Sequence, residues 1–271
     1  MPLTKLQFRP GVNRETTSYS NEGGWFDTDK VRFRFGYPEK IGGWIKQSVN
    51  AFLGTARALH PWVALDGTNF LGVGTHLKYY INEGGAFNDV TPIRATTSAG
   101  DVTFATGFDT LNGAITAETE SIVLNSSSGF PASGRIKIDS EEITYAAISS
   151  NTLTGCVRGV NNTTAATHSD SANVGCATIT VTDTLHGALD NDFVTFSGAA
   201  SLGGLITANV LNQEYQVTSV VSTAVYQIEA REVSTIGSIT TTAGLEPTFV
   251  FSNASDTGNG GSSVVGTYQI N

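Results

Sequence analysis

Residues 128–148 read SGFPASGRIKIDSEEITYAAI, and the spacing of their apolar residues decides the fold class. Ile136 and Ile138 alternate with Arg135, Lys137 and Asp139, then Ile143, Tyr145 and Ala147 alternate with Thr144 and Ala146. A period of two puts one set of side chains on an apolar face and the other on a wet face, so the stretch predicts two short half-buried strands. The turn between them is expected at Ser140–Glu142, which leaves Glu141 and Glu142 adjacent at a hairpin tip. Neighbouring strand side chains diverge, whereas an acid and a base flanking one substrate bond converge across about 5 to 9 Å. The two carboxylates are therefore expected to stand in water and not to act as a catalytic pair.

The same pattern spreads outward through the chain. Of 271 residues, 14% are charged and 30 are Gly, and Ser and Thr crowd every segment after about residue 95. That balance suits short strands and many turns, not helices, which favour Ala, Leu, Glu and Lys. The longest helix-like run, NAFLGTARALH at 50–60, is broken by Gly54 and followed by Pro61. The N-terminus lacks an apolar core of signal-peptide length, and no window approaches the roughly 18 apolar residues of a membrane span. Cys156 and Cys176 have no CxxC partner or nearby His pair, so they read as small buried apolar residues and not as metal ligands.

Charge is divided unevenly. Residues 1–94 carry eleven Lys/Arg against eight Asp/Glu, a balance of +3, and residues 95–271 carry four against sixteen, a balance of −12. A mildly basic front suits an acidic partner, while the acidic rear repels nucleic-acid phosphates.

The front holds aromatic and basic residues at close quarters, GGWFDTDKVRFRFGYPEKIGGW at 23–44. Val31, Phe33 and Phe35 alternate with Arg32 and Arg34, giving one short strand with an apolar and a cationic side. Such a segment cannot build a core alone. Arginines alternating with rings also suit base stacking, but Glu22, Asp27, Asp29 and Glu39 interrupt the positive field, so protein contact is the better reading. Trp25, Phe26, Phe33, Phe35, Trp44 and Trp62 are the expected assembly anchors, with Arg32 and Arg34 as charged contacts to a neighbour.

Residues 56–93 read as a four-stranded meander, separated by DGTN, His76 and NEGG, all of them turn chemistry. A meander of this size is the unit of a propeller blade, yet no second copy follows at a similar period. Either other copies of the protein or a continuation of the chain are expected to complete it, or the meander packs on something else. The chain as a whole is expected to be mainly β: an extended arm plus meander over 1–94, then two small β-sandwich or barrel-like modules over 95–175 and 176–271. Strands of the last module are expected at ATITVTD, DFVTFSG, EYQVTSV, AVYQIEA, PTFVF and SVVGTYQI.

Little chemistry stands out against this background. The four histidines adjoin turn residues and no GxSxG element accompanies them, so a hydrolytic triad is not expected. Asp183, His186, Asp190 and Asp192 have the wrong spacing for a hard-cation loop. The Gly-rich runs at 72–77 and 255–263 lack the strand-to-helix setting of a phosphate cradle. No catalytic residue, metal or cofactor is expected.

Residues 126–174 carry Gly129-Phe130-Pro131, Gly134, Ile136, Glu141-Glu142, Tyr145, Leu153, Gly155-Cys156, Arg158-Gly159 and His168. In these features the stretch resembles a small β module that recurs in bacteriophage virion proteins, especially tail and fibre components. The front, PGVNRETTSYSNEGGWFDTDKVRFRFGYPEKIGGW at 10–44 with DGTNFLGVGTHLKYYI at 66–81, is similar to the opening of podovirus-like tail or DNA-stabilisation proteins. Residues 180–220, with HG and VTFSGA cores, resemble another module of phage structural proteins. The resemblance implies a virion component assembled in a bacterial cytoplasm: a tail or portal-proximal ring protein and homo-oligomer. Its implied partners are portal, adaptor or tail proteins, with passive contact to packaged DNA and no membrane span. It also implies that Arg158 pairs with Glu141 or Glu142 as a surface group holding two strands. The alternative is a tail adhesin that binds a host-surface glycan.

Overall fold

A computed structural model describes residues 9–15, 17, 19–43, 48, 51–232 and 248–271. They belong to two compact units, Met1–Gln47 and Ser48–Asn271. The fold is mainly β, and the described residues contain one short helix, α1 (Ala208–Leu211), capped by the Thr207 side chain. No helix among them is long and apolar enough to cross a membrane.

The first unit contains a hairpin, β1 (Val31–Arg34) and β2 (Tyr37–Lys40), with Arg32 opposite Glu39 and Phe33 opposite Pro38. Its two-residue loop, Phe35-Gly36, has φ of +50° and +86°. Positive φ at both central positions matches the twist of paired strands.

The second unit opens with the meander, β3 (Ala56–Val63), β4 (Asn69–Thr75), β5 (Tyr79–Glu83) and β6 (Ala86–Asp89), paired in sequence order. Gly84 and Gly85, at φ +57° and +92°, form the tight loop between β5 and β6, a conformation glycine adopts without steric cost. The meander belongs to the compact unit of the β modules and not to that of the arm, which departs from the expected grouping over 1–94. Lys78 shows how it is tied in: its buried ammonium reaches Asp89 at 2.7 Å, Gln269 at 2.8 Å and the Glu214 carboxylate, and lies 4.8 Å from the Phe193 ring centroid.

Beyond the meander run β7 (Ile93–Thr96), β8 (Thr103–Thr110), β9 (Ile122–Val123), β10 (Gly134–Ile138), β11 (Glu141–Tyr145), β12 (Ala147–Ser149) and β13 (Thr152–Thr154). Then come β14 (Asn173–Thr182), β15 (Phe193–Ser197), β16 (Glu214–Gln216), β17 (Ser219–Ser222), β18 (Val225–Glu229) and β19 (Val265–Gln269). One sheet has the order β16-β15-β19-β7; a second runs β11-β10-β14-β18-β17 with β8 also on β14; a third is β12-β13-β9. Two apolar cores result. One gathers Leu111, Ile122, Ile136, Ile143, Leu153 and Cys176. The other gathers Val102, Phe104, Ile179, Phe196, Tyr226 and Tyr268, with the Phe104 and Phe196 rings meeting edge to face at 4.9 Å.

The boundary expected at 175/176 falls inside β14. Residues 173–175 of that strand pair with 108–110 of β8, and 179–182 pair with 103–106, across a register break. β14 thus serves both cores, β8 runs from Phe104 in one to Leu111, just past its end, in the other, and the segment 107–176 is nested within a module built from 93–106, 177–232 and 248–271. The bulge bends the ladder and leaves backbone groups to be met elsewhere. Ser252 meets them: its hydroxyl accepts from the Cys176 N–H at 2.9 Å and donates to the Gly107 carbonyl at 2.5 Å. Of the expected strand at PTFVF, the described residues show a single bridge, Phe249 with Arg231.

Candidate assembly surface

In the first unit, β1 directs Val31 and Phe33 to one face and Arg32 and Arg34 to the other. Trp25, half-buried, packs edge to face on Phe33 at 6.1 Å. Phe26 is exposed beneath the Arg14 guanidinium, 5.8 Å from its centroid, and Arg14 also pairs with Asp27 at 2.5 Å. Arg32 is engaged by Glu39 at 3.0 Å. Arg34 has no carboxylate partner among the described residues, and its guanidinium carbon sits 5.5 Å from the Phe35 centroid. Phe35 itself is 89% exposed at the loop tip. A bulky side chain at positive φ is strained, so the chain holds an aromatic ring in water at some conformational cost. Trp44 lies outside the described residues.

In the second unit, Trp62 lies on β3, every residue of which is exposed. Alternation and register place Ala58, His60, Trp62, Phe70, Gly72, Gly74, Tyr79 and Ile81 on one face of the meander. His60, Trp62 and Phe70 stack along it, at 5.9 and 5.4 Å. Beside them is a hollow of about 230 Å³ over Gly72 and Gly74, lined also by Ala58, His60, Tyr79 and Val90. The opposite face is covered in part, where Phe52 packs on Tyr80 and Phe87 at 6.0 and 5.0 Å.

The turn of the opening hairpin departs from the expectation. Its loop is Asp139-Ser140, with Asp139 at φ +52°, so Glu141 begins β11 opposite Ile138. A shift of one residue flips a side chain to the other face, and Glu141 is 0% exposed. The expectation of a solvated tip is overturned for both acids. Arg158 grips Glu141 with two hydrogen bonds of 2.7 Å, the N–H groups of Gly159 and Ala166 donate at 3.0 Å each, and His168 Nε2 lies at 2.8 Å. The other His168 nitrogen lies 2.8 Å from Asp139. Burial alone raises a carboxyl pKa, but Arg158, His168 and the Ala166 N–H outweigh it and bring Glu141 down to about 2. Glu142 diverges as expected, toward Arg135 at 3.4 Å and Asn161 at 3.1 Å. The alternation of Ile143 and Tyr145, carried back one step, already placed Glu141 on the core side; this was the available signal.

The remaining polar candidates are engaged within the fold, apart from the buried Nε2 of His186. Asp183 accepts from Tyr268 at 2.6 Å, and Asp192 holds Arg94 and the Leu189 N–H at 2.9 Å each. His186 Nδ1 accepts from the Ala188 N–H at 3.0 Å, and its ring packs 5.0 Å from Tyr226. Among the described residues no group of three or more His, Cys, Asp or Glu is arranged to hold a metal ion. Both cysteines are free and buried, and burial pushes the Cys176 thiol up to about 12. A separate open groove of about 920 Å³ is lined by Phe108, Phe249 and Phe251, with Asp139, Asn173 and Asn253 among its polar groups.

Comparison with protein-family models, with curated proteins and with solved structures gives no match to this chain.

Proposed function

We propose that the chain is a structural component of a bacteriophage particle, a tail or portal-proximal ring protein that serves assembly and genome retention or delivery and catalyses no reaction. The observation that carries this reading is the pair of bare aromatic surfaces, the Phe35 hairpin tip and the Trp62 face of the meander. Apolar surfaces of this kind mark protein contacts. The charge division fits the same role: the first unit carries eight Lys/Arg against five Asp/Glu and the second seven against nineteen. An acidic second unit would let DNA pass without holding its phosphates, and portal, adaptor or tail proteins are the partners this role requires. Sedimentation velocity of the purified chain is expected to show a discrete oligomer at micromolar concentration, and electron microscopy closed rings. A monomer at every concentration, with its indoles shielded from quenchers, would overturn the reading.

The groove lined by Phe108, Phe249 and Phe251 favours a second reading, a tail adhesin for a host-surface glycan, because rings beside amide and carboxylate groups suit sugar faces and hydroxyls. Under that reading a glycan array gives a dose-dependent signal that Phe249→Ala abolishes. A blank array removes it.

A further inference from the structure

We propose that the Phe35 ring of one copy seats in the glycine-floored hollow on the meander of a second copy, with Arg34 set against Glu83 beside it. This contact rests on the self-assembly reading and specifies it.

The projecting half is built to project. The loop of β1–β2 has a pair of positive φ values close to those of Gly84-Gly85, but phenylalanine stands where the other loop has glycine. Strain that a glycine would relieve is kept, and the side chain it carries touches almost nothing of its own chain. Residues held in unfavourable backbone regions recur at functional sites.

The receiving half is built to receive. Gly72 and Gly74 sit mid-strand in β4, where a missing side chain weakens a sheet and leaves room for a close approach. A Cβ at Gly72 would come within 3.2 Å of the Trp62 ring, and one at Gly74 within 3.5 Å of the Tyr79 ring. The Trp62 ring therefore leans over the Gly72 backbone, and the hollow beside it is walled by Tyr79, Ile81 and Val90 with an almost wholly apolar surface. Strand addition at the free edge of β3 is the less apt use of this sheet. The Ala64 N–H bonds back to Thr68, so by alternation Pro61 is the residue whose missing donor faces outward, mid-edge. Contact is left to the face.

Charge selects a second copy as the occupant. Arg34, next to the knob, has no carboxylate partner among the described residues, and Glu83, opposite Phe70 on the hollow's own face, has no cation partner among them. The two excesses belong to units of opposite net charge in one sequence. A knob and a hole at different places on the same chain make a heterologous contact, which yields a ring when the rotation closes.

The test is sedimentation of the full chain and of surface variants that leave the cores untouched. Phe35→Ala and Arg34→Glu are each expected to weaken association by about tenfold to a hundredfold, the range of an interfacial anchor. Combining Arg34→Glu with Glu83→Arg is expected to restore it. If the wild type assembles and the variants assemble with unchanged affinity, the contact is wrong, self-association uses another surface and the hollow belongs to a different partner. If the double variant stays as weak as Arg34→Glu, the pairing with Glu83 is wrong. A wild type that never assembles overturns the self-assembly reading and the contact with it.

Discussion

Replacing Arg158 by methionine is expected to destabilise the module around β10 and β11 by about 3 to 5 kcal/mol, the cost of stranding one member of a buried ion pair. Only 7% of the Arg158 side chain and none of Glu141 is exposed. Methionine fills the volume but leaves the Glu141 carboxylate facing only His168 and two backbone N–H groups. Arg158→Lys keeps a charge but cannot reproduce the two-pronged grip, nor the donations to Thr116 and Ala166, and an intermediate loss is expected. Urea unfolding followed by circular dichroism, with hydrogen exchange on the β10 and β11 amides, measures both. A loss under about 1 kcal/mol for Arg158→Met would mean that the pair contributes no more than an exposed one. The pH dependence has a definite sign. Glu141 is held below its ordinary 4.5, at about 2, so its contribution is whole above 4.5 and disappears as pH falls through about 2. The stability gap between wild type and Arg158→Met should therefore narrow as pH falls from 4.5 towards 2.

Replacing Lys78 by methionine is expected to cost about 3 kcal/mol and to loosen the meander from β16 and β19. Here the cation is 1% exposed while Asp89 and Glu214 keep 30% and 23% of their side chains in water, so the stranded carboxylates are partly hydrated and the loss lies at the lower end of the range. Hydrogen exchange should rise in β5, β16 and β19 and stay unchanged in β10 and β11. Equal protection in variant and wild type would show that apolar packing alone docks the meander. Burial works to lower the Lys78 pKa, yet Asp89 and Glu214 hold it above 10.5. Asp89, which burial would raise, is held below 3.8 chiefly by Lys78 and Thr91. The lysine's share of stability is thus complete below 10.5 and lost as pH climbs through its higher folded value; that of Asp89 is complete above 3.8 and lost as pH drops through its lower one. The cost of Lys78→Met should stay level between those limits.

Most strands were legible because each states its own period. AVYQIEA contains β18, DFVTFSG contains β15, and the four meander segments match β3 to β6, with β5 running two residues beyond LKYYI into the expected NEGG turn. EYQVTSV was not legible as it folds: it divides into β16 and β17, which pair with β15 and β18 in different sheets. Nothing local marks that exchange. Of the expected assembly residues, the arm's Phe35 and Arg34 and the meander's Trp62 lie at bare surfaces, while Trp25 and Phe33 pack on each other and Arg32 pairs within its own hairpin.

The order of apolar and polar residues by itself determined that this chain is β and that its charge is split between front and rear, because these follow from composition and from neighbours within a few residues. Tertiary structure alone decided that β14, paired with β8, serves two cores, that Glu141 is buried against Arg158 and His168, and that Lys78 anchors the meander to β16 and β19. In each case the partners stand tens of residues apart in sequence, and a lone charged side chain looks the same in the sequence whether its counter-ion is water or a distant arginine.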